Sequence, residues 1–207
     1  FMAERFLYLP SLGYCITAGI FVRKAAATAG NRRTQLFFIV ICTVMISAVY
    51  GIKTVSRNSD WKSNLALLKA DLPKAQTNAR HQRALGTALA VKASRCDDHI
   101  GRKELLSRAE VHLKQALDIY PQYAEAMLGL AYAARVSANM DRALHFACSA
   151  IETDPSFAPA YLSAGIARMG MQNYARCIFY CNKAIGIRSR YAEAFYWKGN
   201  AYISMHD

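Results

Sequence analysis

The chain has 207 residues, 54% of them hydrophobic and 19% charged, with only 11 Gly and 5 Pro. That composition excludes a disordered, collagen-like or low-complexity chain. The formal charge of +12 taken alone suggests a basic helical protein that binds nucleic acid, but the mean hydropathy of +0.05 averages two dissimilar parts.

Residues 1–60 carry seven Lys/Arg against two acids (Glu4 and Asp60), net +5. Residues 61–207 carry 19 against 12, net +7. In chain order, the run 6–22 is charge-free and holds Pro10 and Gly13. Proline is tolerated in a helix's first turn, where its missing N–H is not needed. A membrane helix is therefore expected over 10–28, with Arg23 and Lys24 snorkelling to its interface. A signal peptide fits poorly, because no basic segment precedes the run and a second apolar run follows it. The run 34–52 holds no charge in 19 residues. As a helix it covers about 28 Å, close to a hydrocarbon core of about 30 Å. A soluble amphipathic helix would show a polar stripe; this run predicts a second span over 34–55. The short loop between holds Arg23, Lys24, Arg32 and Arg33. Short basic loops stay cytoplasmic. Residues 1–9 and everything beyond about 55 then lie outside the cytoplasm, in an ER-type lumen or a bacterial periplasm. The expected organisation is a multi-pass membrane part over 1–56, a connector over 57–77 and a helical array over 78–207.

The array repeats itself. Tyr123, Ala124, Glu125 and Ala126 recur as Phe157, Ala158, Pro159 and Ala160, and again as Tyr191, Ala192, Glu193 and Ala194. Each step is 34 residues, and Pro121 recurs as Pro155. Ala131, Gly165 and Gly199 keep the step, as do Ala116, Ala150 and Ala184. The small residues mark places where two helices approach closely, and Met127, Tyr161 and Phe195 fill the gaps between neighbours. A helix–turn–helix unit of this period is the tetratricopeptide (TPR) signature. The expected fold is all-α: two transmembrane helices followed by a TPR α-solenoid. Three repeats run over 78–121, 122–155 and 156–189, followed by the first helix of a fourth. From Gly86 to Ala131 is 45 residues, so the first repeat carries 11 extra, expected around 95–103. A half-repeat exposes an apolar face, and the chain opens on Phe1; both read as a piece of a longer protein.

Two segments carry a more specific resemblance. The opening reads Ala3, Glu4, Arg5, Phe6, Leu7, Tyr8, Leu9, Pro10, Ser11, Leu12, Gly13. After the second apolar run come Arg57, Asn58, Ser59, Asp60 and Trp61. This order, leading into repeats, resembles the transmembrane-and-TPR protein O-mannosyltransferases that target cadherins, and their bacterial relatives. The resemblance covers nearly the whole chain. It implies a multispanning GT-C-type glycosyltransferase that takes a sugar, mannose, from a lipid-linked donor, with TPRs that engage acceptor protein. It also implies that the catalytic acidic residues precede residue 1, so that no catalytic residue lies in this stretch and the stretch alone is inactive. The alternative is a membrane-anchored TPR scaffold without catalysis.

The candidate sites follow from placement. Arg5 at a helix entry suits a lipid-linked phosphate, since guanidinium pairs phosphate in a bidentate way. Tyr8 could hydrogen-bond the head group, and Glu4 could serve as a base or pair with Arg5; an interfacial anchor is the plainer reading of both. Asp60 and Trp61 fit the membrane interface, with Trp61 in the aromatic belt. By register, Arg80, Arg83, Leu128, Tyr132, Arg135, Leu162, Ile166, Met169, Tyr196 and Asn200 line the groove of the array. The arginines would favour an acidic protein or peptide, and otherwise read as solvated charges. Cys15 and Cys42 lie in the expected spans; Cys148, Cys177 and Cys181 lie at repeat packing positions, and Cys96 in the inserted region. No Cys/His spacing fits zinc, and no cofactor motif occurs. The charge of the repeats is spread along several helices, which disfavours nucleic acid.

Overall fold

The computed structural model describes residues 16, 19, 20, 23, 24, 32–58 and 63–206. The chain divides into two units, Phe1–Trp61 and Lys62–Asp207.

In the first unit, Ile16, Gly19, Ile20, Arg23 and Lys24 are helical. Helix α1 spans Arg32–Asn58. Leu36, Phe37, Val40, Ile41, Val44, Met45, Ile46, Val49 and Ile52 are all exposed along it, so its apolar side chains are not gathered on one stripe. Two membrane spans were expected here. Among the described residues, however, no helix is long and apolar enough to cross a membrane. Most of the first expected span, 10–28, lies outside the described residues, including Cys15.

The second unit is all helix among the described residues: α2 (Asn64–Asp71), a 3-10 turn (Leu72–Lys74), α3 (Ala79–Ser94), α4 (His99–Ile119), α5 (Ala124–Val136), α6 (Met140–Thr153), α7 (Ala158–Gly170), α8 (Tyr174–Ile187) and α9 (Ala192–His206). Short polar side chains start α2, α3, α4, α6 and α8 by capping their free N–H groups. Ser63 Oγ accepts from Ala66 N at 3.1 Å, Asn78 Oδ1 from His81 N at 3.2 Å and Asp98 Oδ2 from Gly101 N at 2.8 Å. Asn139 and Asn173, one repeat apart, cap α6 and α8 in the same way. Immediately before them stand Ala138 and Gln172, both with φ 60°. Each closes the preceding helix with a pair of bonds. Ala138 N donates to Arg135 O and Asn139 N to Ala134 O; Gln172 N donates to Met169 O and Asn173 N to Arg168 O. This is the left-handed Schellman stop, which usually employs glycine.

Each second helix packs between its own first helix and the next one: α4 between α3 and α5, α6 between α5 and α7, α8 between α7 and α9. Successive first helices also touch. Small residues set the spacing. A Cβ on Gly86 would lie 2.7 Å from Leu113 Cγ, and one on Gly129 would lie 2.6 Å from Leu113 Cδ2. Leu113 of α4 is fully buried between those two first helices. Three alanine clusters join the second and third repeats: Ala124, Ala150 and Ala160; Ala131, Ala147 and Ala164; Ala134, Ala143 and Ala167.

The extra residues of the first repeat lengthen its helices. Helix α3 has 16 residues against 13 in α5, and α4 has 21 against 14 in α6. The stretch 57–77, expected as a connector, contains α2, which buries Leu67 and Leu68. Leu68 joins the cluster of Leu85, Leu89, Ala90 and Leu106, so α2 covers the first repeat. Polar contacts fasten it. His81 Nε2 lies 2.8 Å from Leu68 O. Gln82, 4% exposed, donates to Gln76 O at 2.9 Å, and its Oε1 lies 2.8 Å from His112 Nδ1. Burial holds His112 below the usual histidine range, helped by nearby His81 and opposed by Gln115.

Candidate functional site

Glu4, Arg5, Tyr8, Asp60 and Trp61 lie outside the described residues. The ten groove candidates do not form one surface. Arg80 is exposed and Arg83 half-buried on α3. Arg83 Nε donates to Tyr123 Oη at 3.0 Å, and its Cζ lies 5.8 Å from the Tyr123 ring centroid. Tyr132 on α5 donates through its hydroxyl to Ser94 Oγ at 3.1 Å. Arg135 stacks on Tyr132 with Cζ 5.0 Å from the ring centroid. Leu128, Met169 and Asn200 are half-buried, and Tyr196 is exposed.

Leu162 and Ile166 were expected on the groove and are instead core residues, 3% and 8% exposed. They cluster with Ala194, Ala201 and Trp197 of α9 and with Cys177 and Cys181 of α8. Helix α9 covers the face of α7 that register alone would leave open. The Cys177–Cys181 contact and burial together push the Cys181 thiol up, so it is held neutral. Cys42, Cys96 and Cys148 are free and half-buried. Among the described residues no group of three His, Cys, Asp or Glu side chains is placed to hold a metal ion.

Arg83 stands between two clefts. One, of about 1050 Å³, lies where α3 and α5 begin and α6 ends, and is lined by Arg80, Arg83, Tyr120, Tyr123, Glu125 and Asp154 among others. The other, of about 940 Å³, lies between the start of α2 and the length of α3. Leu65, Ala84, Ala88 and Val91 form its apolar floor; Arg83, Lys92 and Arg95 form its cationic rim, with Thr87 between. Sequence reading did not single out Thr87, Lys92 or Arg95. Their helical spacing from Arg83 was available, but the cleft exists only because α2 folds beside α3. Thr87 Oγ1 and Arg135 Nε are shielded from solvent with no hydrogen-bond partner. A shielded donor without a partner is costly.

The helix pairs, their 34-residue step and the shared stops before α6 and α8 define a TPR solenoid. Solved structures agree. A thermophilic TPR protein of Thermus thermophilus superposes with a TM-score of 0.63 at 15% identity, covering 95% of each chain. YrrB, described as a TPR protein with an unusual peptide-binding site, superposes with a TM-score of 0.52 at 21% identity, covering 92% of this chain and 87% of that one. These likenesses show the fold. No protein-family model matches the chain. By sequence the chain is similar to protein O-mannosyl-transferases, as its opening and repeats imply. A Caenorhabditis elegans protein O-mannosyl-transferase is 30% identical over 122 residues, 59% of this chain and 15% of that protein. Drosophila melanogaster Tmtc1 is 29% identical over 133 residues, 62% of this chain and 14% of that protein. Mouse TMTC1 is 30% identical over 130 residues, 62% of this chain and 12% of that protein. The chain thus spans about a seventh of these relatives or less.

Proposed function

We propose that this chain is the acceptor-engaging segment of a membrane glycosyltransferase, one that transfers a sugar (mannose by resemblance) from a lipid-linked donor to protein. The binding part rests chiefly on one observation. A cleft along α3 has Arg83, Lys92 and Arg95 around an apolar floor, and Arg135 stacks on Tyr132 of the neighbouring first helix α5. Such a face suits an extended acidic segment with an apolar side chain. Similarity to O-mannosyl-transferases supports the transferase part. In that reading, catalysis belongs to residues outside this chain. Arg5 contacts the donor phosphate, Tyr8 bonds the head group or sugar, Glu4 serves as a base or pairs with Arg5, and Asp60 and Trp61 sit at the membrane interface. The apolar run 34–52 anchors the chain, and the repeats lie outside the cytoplasm.

Binding is tested with the 207-residue chain in neutral detergent, titrated with an acidic peptide that carries one leucine. Arg83→Glu together with Arg135→Glu should weaken binding about tenfold or more; unchanged affinity overturns the groove assignment. Anchoring is tested in sealed microsomes. Alkaline carbonate should leave the chain in the membrane, and added protease should spare the repeats. Transfer is tested in the intact membrane protein, where Arg5→Ala should lower donor use. A protein that binds acceptor but never transfers sugar would be the scaffold instead.

A further inference from the structure

The second and third repeats have opposite charge. Residues 122–155 hold Arg135 and Arg142 against Glu125, Asp141, Glu152 and Asp154. Residues 156–189 hold Arg168, Arg176, Lys183 and Arg188 and no acid at all. No Asp or Glu occurs between Asp154 and Glu193. Of these cations, Arg168 lies on α7, Arg176 and Lys183 on α8, and Arg188 just beyond its end.

Helix α8 buries Cys177, Cys181 and Ala184 on one side. Arg176, Phe179, Lys183 and Ile187 are spaced three or four apart, which places them on a common helical face. Phe179 is 46% exposed and Ile187 42%. Arg176 Cζ lies 6.0 Å from the Phe179 ring centroid and Lys183 Nζ lies 5.8 Å from it. The exposed ring is therefore flanked by two cations. Gly186, beside Ile187, has nothing within 4 Å of a Cβ built on it, so another backbone can approach there.

The same positions one repeat earlier are neutral or paired. His145, Ser149, Thr153 and Asp154 stand where α8 has Phe179, Lys183, Ile187 and Arg188. Arg142, in register with Arg176, is paired to Glu110 at 3.2 Å. The residue in register with Glu110 is Leu144. Among the described residues, the acid that pairs with Arg142 thus has no counterpart for Arg176, and α8 carries Phe179 and Ile187 exposed beside Arg176 and Lys183.

We propose that this face of α8 is a second interaction surface, separate from the groove, and that its occupant is an acidic amphipathic helix of a partner protein. Phe179 and Ile187 are eight residues apart, about 12 Å along the axis. Apolar residues seven or eight apart on a partner helix match that distance, with one carboxylate between them to meet Lys183 and another just outside them to meet Arg176. A second copy of α8 is disfavoured by like charge. A bilayer is the weaker fit, because Phe179 lies between its two cations, whereas interfacial insertion seats apolar side chains deeper than the charges.

The test uses the 207-residue chain in neutral detergent and a labelled helical peptide of about 18 residues, long enough for the stripe. The peptide carries leucines seven apart, with one glutamate between them and another just outside them. Control peptides replace the glutamates with glutamine or lysine. The glutamate peptide should bind about tenfold more tightly than the glutamine peptide, less so at high salt. Arg176→Glu with Lys183→Glu should reverse the preference toward the lysine peptide, with helicity by circular dichroism unchanged. Arg83→Glu should leave this binding intact, which separates it from the groove. Equal binding of the glutamate and glutamine peptides overturns the proposal, as does insensitivity to the charge reversal. Tighter binding, through the same residues, to phosphatidylserine vesicles or single-stranded nucleic acid than to the glutamate peptide also overturns it.

Discussion

The second and third repeats have the same backbone and different chemistry. Both turn from first to second helix through a left-handed residue, Ala138 or Gln172, and an asparagine cap. Yet Ala143 and Ala147 of the second repeat stand where the third has Cys177 and Cys181, and Tyr132 stands where it has Ile166. Register therefore specifies where a residue sits along the solenoid but not what lies across from it. Leu128 and Leu162 are one step apart; the first is half-buried and the second is 3% exposed, clustered with Cys177 and Cys181 of α8 and with Ala194, Ala201 and Trp197 of α9.

That difference can be broken by substitution at matched positions. The largest effect is expected at the leucines. Leu162→Ala should cost about 3 kcal/mol of unfolding free energy, as for a fully buried leucine. Leu128→Ala should cost about 1 kcal/mol, since half its surface is already solvated. Equal costs in urea melts would mean that α9 does not cover α7. A smaller effect is expected at the stops, with the opposite sign. Ala138→Gly and Gln172→Gly should each stabilise by about 0.5–1 kcal/mol, because only glycine takes that conformation freely. Similar gains would confirm that the two turns are equivalent; a loss at either would separate them. The smallest effect is at the outer arginines. Arg142→Ala should cost about 0.5 kcal/mol, the scale of an exposed ion pair with Glu110. Arg176→Ala has no such pair to lose and should leave thermal stability unchanged. A similar cost at both positions would show that Arg176 has a partner within the chain.

The solenoid was legible because close helix contacts demand small residues. Ala116, Ala150 and Ala184 recur at that demand, as do Gly86, Ala131 and Gly165. That the first repeat carries extra residues was legible too, since 45 residues cannot fill a 34-residue unit; whether they lengthen the helices or loop out was not. Helix α2 was not. Leu65, Leu67, Leu68 and Leu72 follow no repeat register, and only the open end of α3 gives them a surface. The covering of Leu162 and Ile166 was hidden for a related reason, as it depends on how α9 leans. The cationic stripe of α8 was lost to averaging, because a net charge over 147 residues conceals a neighbourhood without any acid.

Leu113 stands between two repeats. One side chain fills the hollows left by Gly86 on α3 and Gly129 on α5, and so belongs to two repeats at once. Solenoid stability is a sum of terms within repeats and between neighbours. Leu113 contributes to both, as Ala143, Ala147 and Ala150 of α6 do with smaller side chains. Leu113 therefore sets whether the first repeat melts together with the rest. With Leu113 in place, the boundary between the first two repeats transmits cooperativity. Trimmed to alanine, the array would unfold in separable steps, and the long first repeat would become a domain with a melting point of its own.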